Sequence, residues 1–219
     1  MHRMFFEKTG DSVYLSHLDL IRVFQRVFAR SGLLLKHSQG FSPKPYVAVA
    51  LPLSVGVHSV CEIMDFELEN DASVPADLLD RLNGTLPAGL RIREIYESSR
   101  KTKEIALLSA VVALEYDNGI PQKAEEKLRD LFCRDALVVR KHSKKGDVDT
   151  DILPMIRELS VCAVSEQELE LRCIVCAQNP TLNPMLLLTA IENYLPEVKP
   201  DFAVCRRMEI YDIDGKIFR

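Results

Sequence analysis

Residues 3–9 (RMFFEKT) carry the apolar and aromatic content of a first strand, and Gly10-Asp11 follows as a turn. Ser16 stands three residues before Asp19, an acidic form of the capping box that opens a helix. Leu20, Phe24, Val27 and Phe28 then recur at helical spacing as far as Ser31, and Gly32 stops the run. Residues 33–37 (LLLKH) read as a short strand, and 38–45 (SQGFSPKP) as a loop with one glycine and two prolines. Residues 46–53 (YVAVALPL) read as a strand closed by Pro52, and 60–69 (VCEIMDFELE) as an alternating one. A second amphipathic helix is predicted over 75–86 and a closing strand over 90–97 (LRIREIYE). Strand, helix, strands, helix, strand is the split βαβ order of a ferredoxin-like unit.

The pattern returns in the second half. Residues 109–117 read as a strand, 121–132 as a helix, 136–142 as a strand and 144–151 (KKGDVDTD) as a loop. Strands follow over 156–164 and 168–177, then a helix opened by Asn183-Pro184, and a last strand over 204–213. The expected class is therefore α+β, with two tandem ferredoxin-like units over 1–98 and 105–219. The polar stretch 98–104 (SSRKTKE) serves as the linker. The likeness between halves is one of pattern; no residue-level repeat accompanies it.

The chain has 219 residues, 47% hydrophobic and 27% charged, enough apolar content for a packed core. No run reaches the ~18 apolar residues of a membrane helix. The N-terminal segment shows no apolar signal core, so a cytoplasmic protein with no membrane contact is expected. The formal net charge of −4 excludes a uniformly basic binder of nucleic acid. Its distribution is uneven, however. Residues 1–58 hold 7 Lys and Arg against 3 acids, and His2, His17, His37 and His58 also lie there. Such asymmetry points the first segment toward an anion, with a solvated surface as the plain alternative.

Three cationic segments follow from this. Arg22, Arg26 and Arg30 recur every four residues, which sets three guanidinium groups in one row along the first helix. A solvated helix face has the same pattern, but His17 and Asp19 open this helix, and Lys36, His37 and Lys44 follow it. The proline-restricted loop can present Phe41 to a base, with Gln39 and Lys44 as polar contacts. Residue types alone tip Phe41 toward packing into the core. The run Arg140, Lys141, Lys144, Lys145 can track a phosphate backbone from a hairpin tip.

Other chemistry is thinly represented. Glu62 and Asp65 stand three apart on a strand and so face opposite ways, a poor acid–base pair. Cys173 and Cys176 form a CxxC within a strand, where three-residue spacing separates the sulfurs. No phosphate-loop or dinucleotide glycine pattern occurs, so neither metal nor cofactor is called for.

From Tyr14 to Leu68 the chain resembles the radical-SAM-linked protein family, a bacterial domain family without an assigned activity. The resemblance is carried by Ser16-His17-Leu18-Asp19, Arg22, Arg30, the loop from Ser38 to Pro45, Leu51-Pro52-Leu53, Gly56 and Glu62. It implies a companion of cobalamin-type radical SAM proteins, and gene neighbours of the family imply an RNA or ribosome setting. A fainter likeness joins Ser54-Val55-Gly56-Val57-His58-Ser59 to the active-site segment of the tRNA pseudouridine synthase A family. That family has an aspartate nucleophile where this chain has Ser54, so the chemistry is not implied.

The expected function is an RNA-associated binding or adaptor protein in a tRNA or rRNA context, linked to radical SAM enzymes. His17, Arg22, Arg26, Arg30, Gln39, Phe41, Lys44, Arg140, Lys141, Lys144 and Lys145 are the contact residues. Asp19, His37, Ser54, His58 and Glu62 are pocket candidates. The alternatives are a partner or substrate-delivery subunit of a radical SAM enzyme, an inactive pseudouridine-synthase-like scaffold, and an enzyme with a pocket centred on His17 and Glu62.

Overall fold

A computed structural model describes residues 1–39, 41, 43–69, 74–143 and 146–219, without the side chains of His142 and Ser143. Two compact units divide the chain, Met1–Glu104 with Arg219, and Ile105–Phe218. Each combines helices with antiparallel strands.

In the first unit β1 (His2–Lys8) leads through a short 3-10 turn (Gly10–Tyr14) into α1 (His17–Arg30). β2 (Val47–Val49), β3 (His58–Phe66), α2 (Leu78–Asn83) and β4 (Leu90–Glu97) follow. The strand order is β4-β1-β3-β2, every pair antiparallel. Met4 and Phe6 of β1 and Met64 and Phe66 of β3 bury one face of this sheet against Leu20, Phe24, Val27 and Phe28 of α1. Phe6 meets Phe24 edge-on at 5.0 Å between ring centroids, a favoured aromatic geometry.

The other face carries a charge. Arg3 is fully buried, and its guanidinium donates to both carboxylate oxygens of Asp65, at 2.6 and 3.0 Å. Arg3 also donates to the Arg100 carbonyl at 2.8 Å. Residues 98–104 are thus tied to β1, and Thr102–Glu104 forms a 3-10 turn where a plain linker was expected.

Several element limits differ from the pattern. LLLKH makes isolated bridges, Leu35 to Leu68 and His37 to Pro45, and no named strand. The next strand contracts to Val47–Val49 between the prolines at 45 and 52. The helix over 75–86 shortens to Leu78–Asn83; Asn83 turns its amide onto the Ile92 backbone, donating and accepting at 2.9 Å.

The second unit runs β5 (Ile105–Glu115), α3 (Ala124–Phe132), β6 (Val138–Ser143), β7 (Gly146–Asp151), β8 (Ile156–Ala163), β9 (Glu168–Cys176), α4 (Met185–Tyr194) and β10 (Phe202–Asp212). Its main sheet has the order β10-β5-β9-β8, all antiparallel, and β6 and β7 form a separate hairpin. The loop expected over 144–151 is therefore mostly strand. GDVDTD has no strand-like composition, and its pairing to Val138–Ser143 overrides local preference. No helix among the described residues is long and apolar enough to cross a membrane.

Cys173 and Cys176 are both buried on β9. Burial, with a smaller contribution from Cys205, pushes the Cys173 thiol up to about 12. Among the described residues no group of three His, Cys, Asp or Glu gathers as a metal site.

Two outcomes are expected. Gly89 has φ +86°, and a Cβ there would lie 2.2 Å from the Thr9 carbonyl oxygen. Gly89→Ala should therefore cost about 2 kcal/mol or more, read as a lower urea midpoint. In native protein at neutral pH a maleimide should label exposed Cys133 while Cys61, Cys173, Cys176 and Cys205 react only on unfolding, as mass spectrometry would show.

Candidate nucleic-acid interface

Two groups of exposed cations in the first unit lie on the opening helix and on an arm between α1 and β2; Arg91, Arg93, Lys101 and Lys103 are exposed elsewhere in it. Ser16 caps α1, its hydroxyl oxygen accepting from the Asp19 N–H at 3.2 Å. The same hydroxyl donates to the Asp19 carboxylate at 2.6 Å. Arg22 pairs with Asp19 at 3.0 Å, with both side chains largely in solvent. Those contacts, the Ser16 hydrogen bond first, hold the Asp19 carboxyl below its ordinary value. Asp19 is thus a capping residue. Arg26 and Arg30 are exposed on the same helix, away from the buried Leu20, Phe24, Val27 and Phe28.

The segment leading into α1 is fixed from beneath. Lys8 is 1% exposed, and its ammonium donates to the carbonyls of Val13 at 3.2 Å and Leu15 at 2.8 Å. Gly56 donates its N–H to the same Val13 carbonyl at 2.9 Å. The Ser54–Val57 turn is thereby stitched to the approach of the helix. Tyr14, Leu18 and Val55 expose large apolar side chains in these segments. His17 and Ser54 are exposed, and His58 is half-buried.

The arm forms where residues 36–38 run beside 44–46. Tyr46 donates its N–H to the Lys36 carbonyl at 2.7 Å, and Ser38 donates to the Lys44 carbonyl at 2.9 Å. The Lys44 N–H closes the loop on the Ser38 hydroxyl at 3.1 Å. Its base is anchored by the Lys36 N–H, which donates to the Glu67 carbonyl at 2.9 Å. Phe41 is fully exposed at its end. Packing of this ring into the core, which residue types had favoured, does not occur. The loop is closed on itself by Ser38 and Lys44. His37, Gln39 and Lys44 are exposed around it, as are Leu34 and Tyr46. Gly40 and Ser42 lie outside the described residues.

The other candidates separate. Glu62 is 1% exposed on β3, whereas His17 is in solvent, so an open pocket centred on both is not formed. Arg140 lies on β6 with Asp147 at 3.8 Å and Asp149 at 4.0 Å on the paired strand, which offsets its charge. Lys141 donates to the Thr181 carbonyl at 3.1 Å, and Lys144 and Lys145 lie outside the described residues. Three cavities of about 500, 300 and 680 Å³ are described, lined by second-unit residues and by none of the candidates.

Sequence reasoning missed Lys8, although Met4, Phe6 and Lys8 share one parity along β1 and so predict a lysine on the core face. It also missed exposed Leu34 and Tyr46, because an apolar run beside a proline loop reads the same whether it is covered or bare.

Among solved structures the chain is similar to one in a crystal structure of a Cbf5-Nop10-Gar1 complex. The TM-score is 0.55 at 11% identity, covering 95% of this chain and 48% of that one. A chain of an archaeal box H/ACA sRNP Nop10-Cbf5 complex matches at TM-score 0.47 and 12% identity, over 94% of this chain and 46% of that one. A chain of an H/ACA RNP bound to a substrate RNA containing 2'-deoxyuridine matches at 0.46 and 11%, over 94% and 46%. The protein spans about half the length of the chains it matches, and at these identities the likeness is one of fold. No curated protein matches it by sequence. Residues 2–184 do match a family model, and the chain belongs to that family, DUF2344, described as an uncharacterized protein conserved in bacteria.

Proposed function

We propose that the protein binds structured RNA, in a tRNA or rRNA context, through the arm and the exposed row of α1. One observation carries the reading: Phe41 stands fully in solvent at the end of a hydrogen-bonded arm, flanked by His37, Gln39 and Lys44. An exposed ring costs water-facing apolar surface and gains a partner when a base stacks on it. Arg26 and Arg30, with Arg22 held by Asp19, supply phosphate contacts that position a strand without reading its sequence. In this reading each unit is a ferredoxin-like domain, 1–98 and 105–219, the strand orders β4-β1-β3-β2 and β10-β5-β9-β8 supporting it. Ser54 supplies no carboxylate where a pseudouridine synthase would need one, so the role is that of a binding scaffold.

The companion reading ties that scaffold to a radical SAM enzyme. It rests on the resemblance from Tyr14 to Leu68, whose Gly56 and Ser16-Asp19 pieces are the residues that shape the approach to α1.

Anisotropy with labelled tRNA and rRNA fragments at several salt concentrations tests the first reading. Binding should weaken linearly in log salt, and Phe41→Ala should weaken it roughly tenfold. Arg26→Ala and Arg30→Ala should each lower the salt slope by about one without changing sequence preference. Absent or salt-independent binding overturns it. For the second, the purified radical SAM protein from the same genome should co-elute with this chain in size-exclusion chromatography; separate elution at micromolar concentration removes that reading.

A further inference from the structure

The second unit carries a cationic groove that the RNA reading does not use. β8 ends the strand order β10-β5-β9-β8, so among the described residues its outer edge pairs with no strand. The direction of its backbone groups follows from the hairpin. Val164 donates its N–H to the Glu168 carbonyl at 2.9 Å, which makes that pair hydrogen-bonded. Antiparallel alternation then turns the N–H and C=O of Ser160 and Cys162 toward β9 and those of Leu159 and Val161 outward. The Arg129 guanidinium donates to the Val161 carbonyl at 3.2 Å, from the side of α3, which agrees with that direction.

Along this edge runs a cavity of about 680 Å³ between β8 and the end of α3. Its floor includes Phe132, Leu159 and Val161, and Arg129, Arg134 and Arg157 stand in its lining against one acid, Glu158. Arg134 is held with its guanidinium 5.4 Å from the Tyr194 ring centroid. Arg157 is exposed and pairs with no carboxylate among the described residues. Arg129 is also paired to Glu125 of its own helix, so it is the least free of the three.

We propose that this groove takes an extended acidic peptide, which adds to the β8 edge as a further strand. The outward N–H and C=O groups of Leu159 and Val161 supply main-chain hydrogen bonds, the Val161 carbonyl once Arg129 has left it, and the apolar lining takes alternate side chains. The three arginines select carboxylates on the remaining positions and repel a basic edge, including the strand's own Arg157 on a second copy. A bound strand displaces Arg129 from the Val161 carbonyl and takes over that acceptor. The partner is a protein segment in extended form, distinct from the RNA assigned to the first unit, so either assignment stands without the other.

The test uses the full chain and a fluorescein-labelled eight-residue peptide of alternating valine and glutamate, about 26 Å when extended. It should bind saturably and weaken with salt, and Arg157→Glu and Arg134→Glu should each weaken it about fivefold or more. Variants are checked for an unchanged urea midpoint. The same peptide N-methylated on alternate residues keeps its charge but loses one row of donors, and should not bind. No saturable binding overturns the proposal, as does equal binding of the N-methylated peptide. Displacement of the peptide by a single-stranded RNA, with the same loss on Arg157→Glu, would reassign the groove to nucleic acid and also overturns it.

Discussion

The ammonium group of Lys8 is the constraint on which the approach to α1 in the first unit depends. A cation almost wholly removed from water is tolerated only with its donors satisfied. Lys8 donates to the Val13 and Leu15 carbonyls, one at the end of a 3-10 turn and the other directly before the cap of α1. Those two contacts set where the helix begins. The Gly56 N–H shares the Val13 acceptor, so the Ser54–Val57 turn is set by the same point. Glycine suits that position because its φ is +83°. One buried side chain thus fixes the direction in which Ser16, His17 and the guanidinium row leave the sheet.

Arg3 acts on the opposite face of the same strand. Its fork meets Asp65 across β1 and β3 and also takes the Arg100 carbonyl. A buried ion pair seldom adds much net stability over an apolar pair of like volume, but loss of one partner strands a charge. Its value here is register: the pair forms only when Arg3 lies opposite Asp65, as the ladder has it. Buried charges in this unit therefore position backbone and register, whereas Arg26 and Arg30 remain exposed on α1. Sequence composition counts both kinds alike. Two of the seven cations in residues 1–58 are spent on internal structure, and Arg22 and Lys36 are held by Asp19 and Glu67.

The legible parts of the chain were those with local causes. Ser16 and Asp19 cap α1, the helical stripe Leu20, Phe24, Val27, Phe28 is buried, and residues 90–97 form β4 with the limits that the pattern implies. What the pattern could not supply was non-local. The polar strand β7 exists because β6 pairs with it, and β2 is short because prolines bound it. The exposure of Phe41 depends on an arm that leaves the core, which no property of the ring encodes. The arginine groove joins α3, the residues after it and β8, and so has no signature in any single window.

The same separation of buried and exposed groups bears on whether the first unit can carry out chemistry. A general acid or base must come within hydrogen-bond reach of the substrate proton, directly or through one water. Glu62 is closed off within β3 and Asp65 is engaged by Arg3. Asp19 is turned to the Ser16 hydroxyl and Arg22, where its charge supports the positive end of the helix. The carboxylates singled out in this unit are thus committed to structure, and the groups offered to solvent are rings, imidazoles, guanidinium groups and a serine. Rings and guanidinium groups are the kinds of group that stack on bases and pair with phosphates, which is why the proposed reading is one of binding.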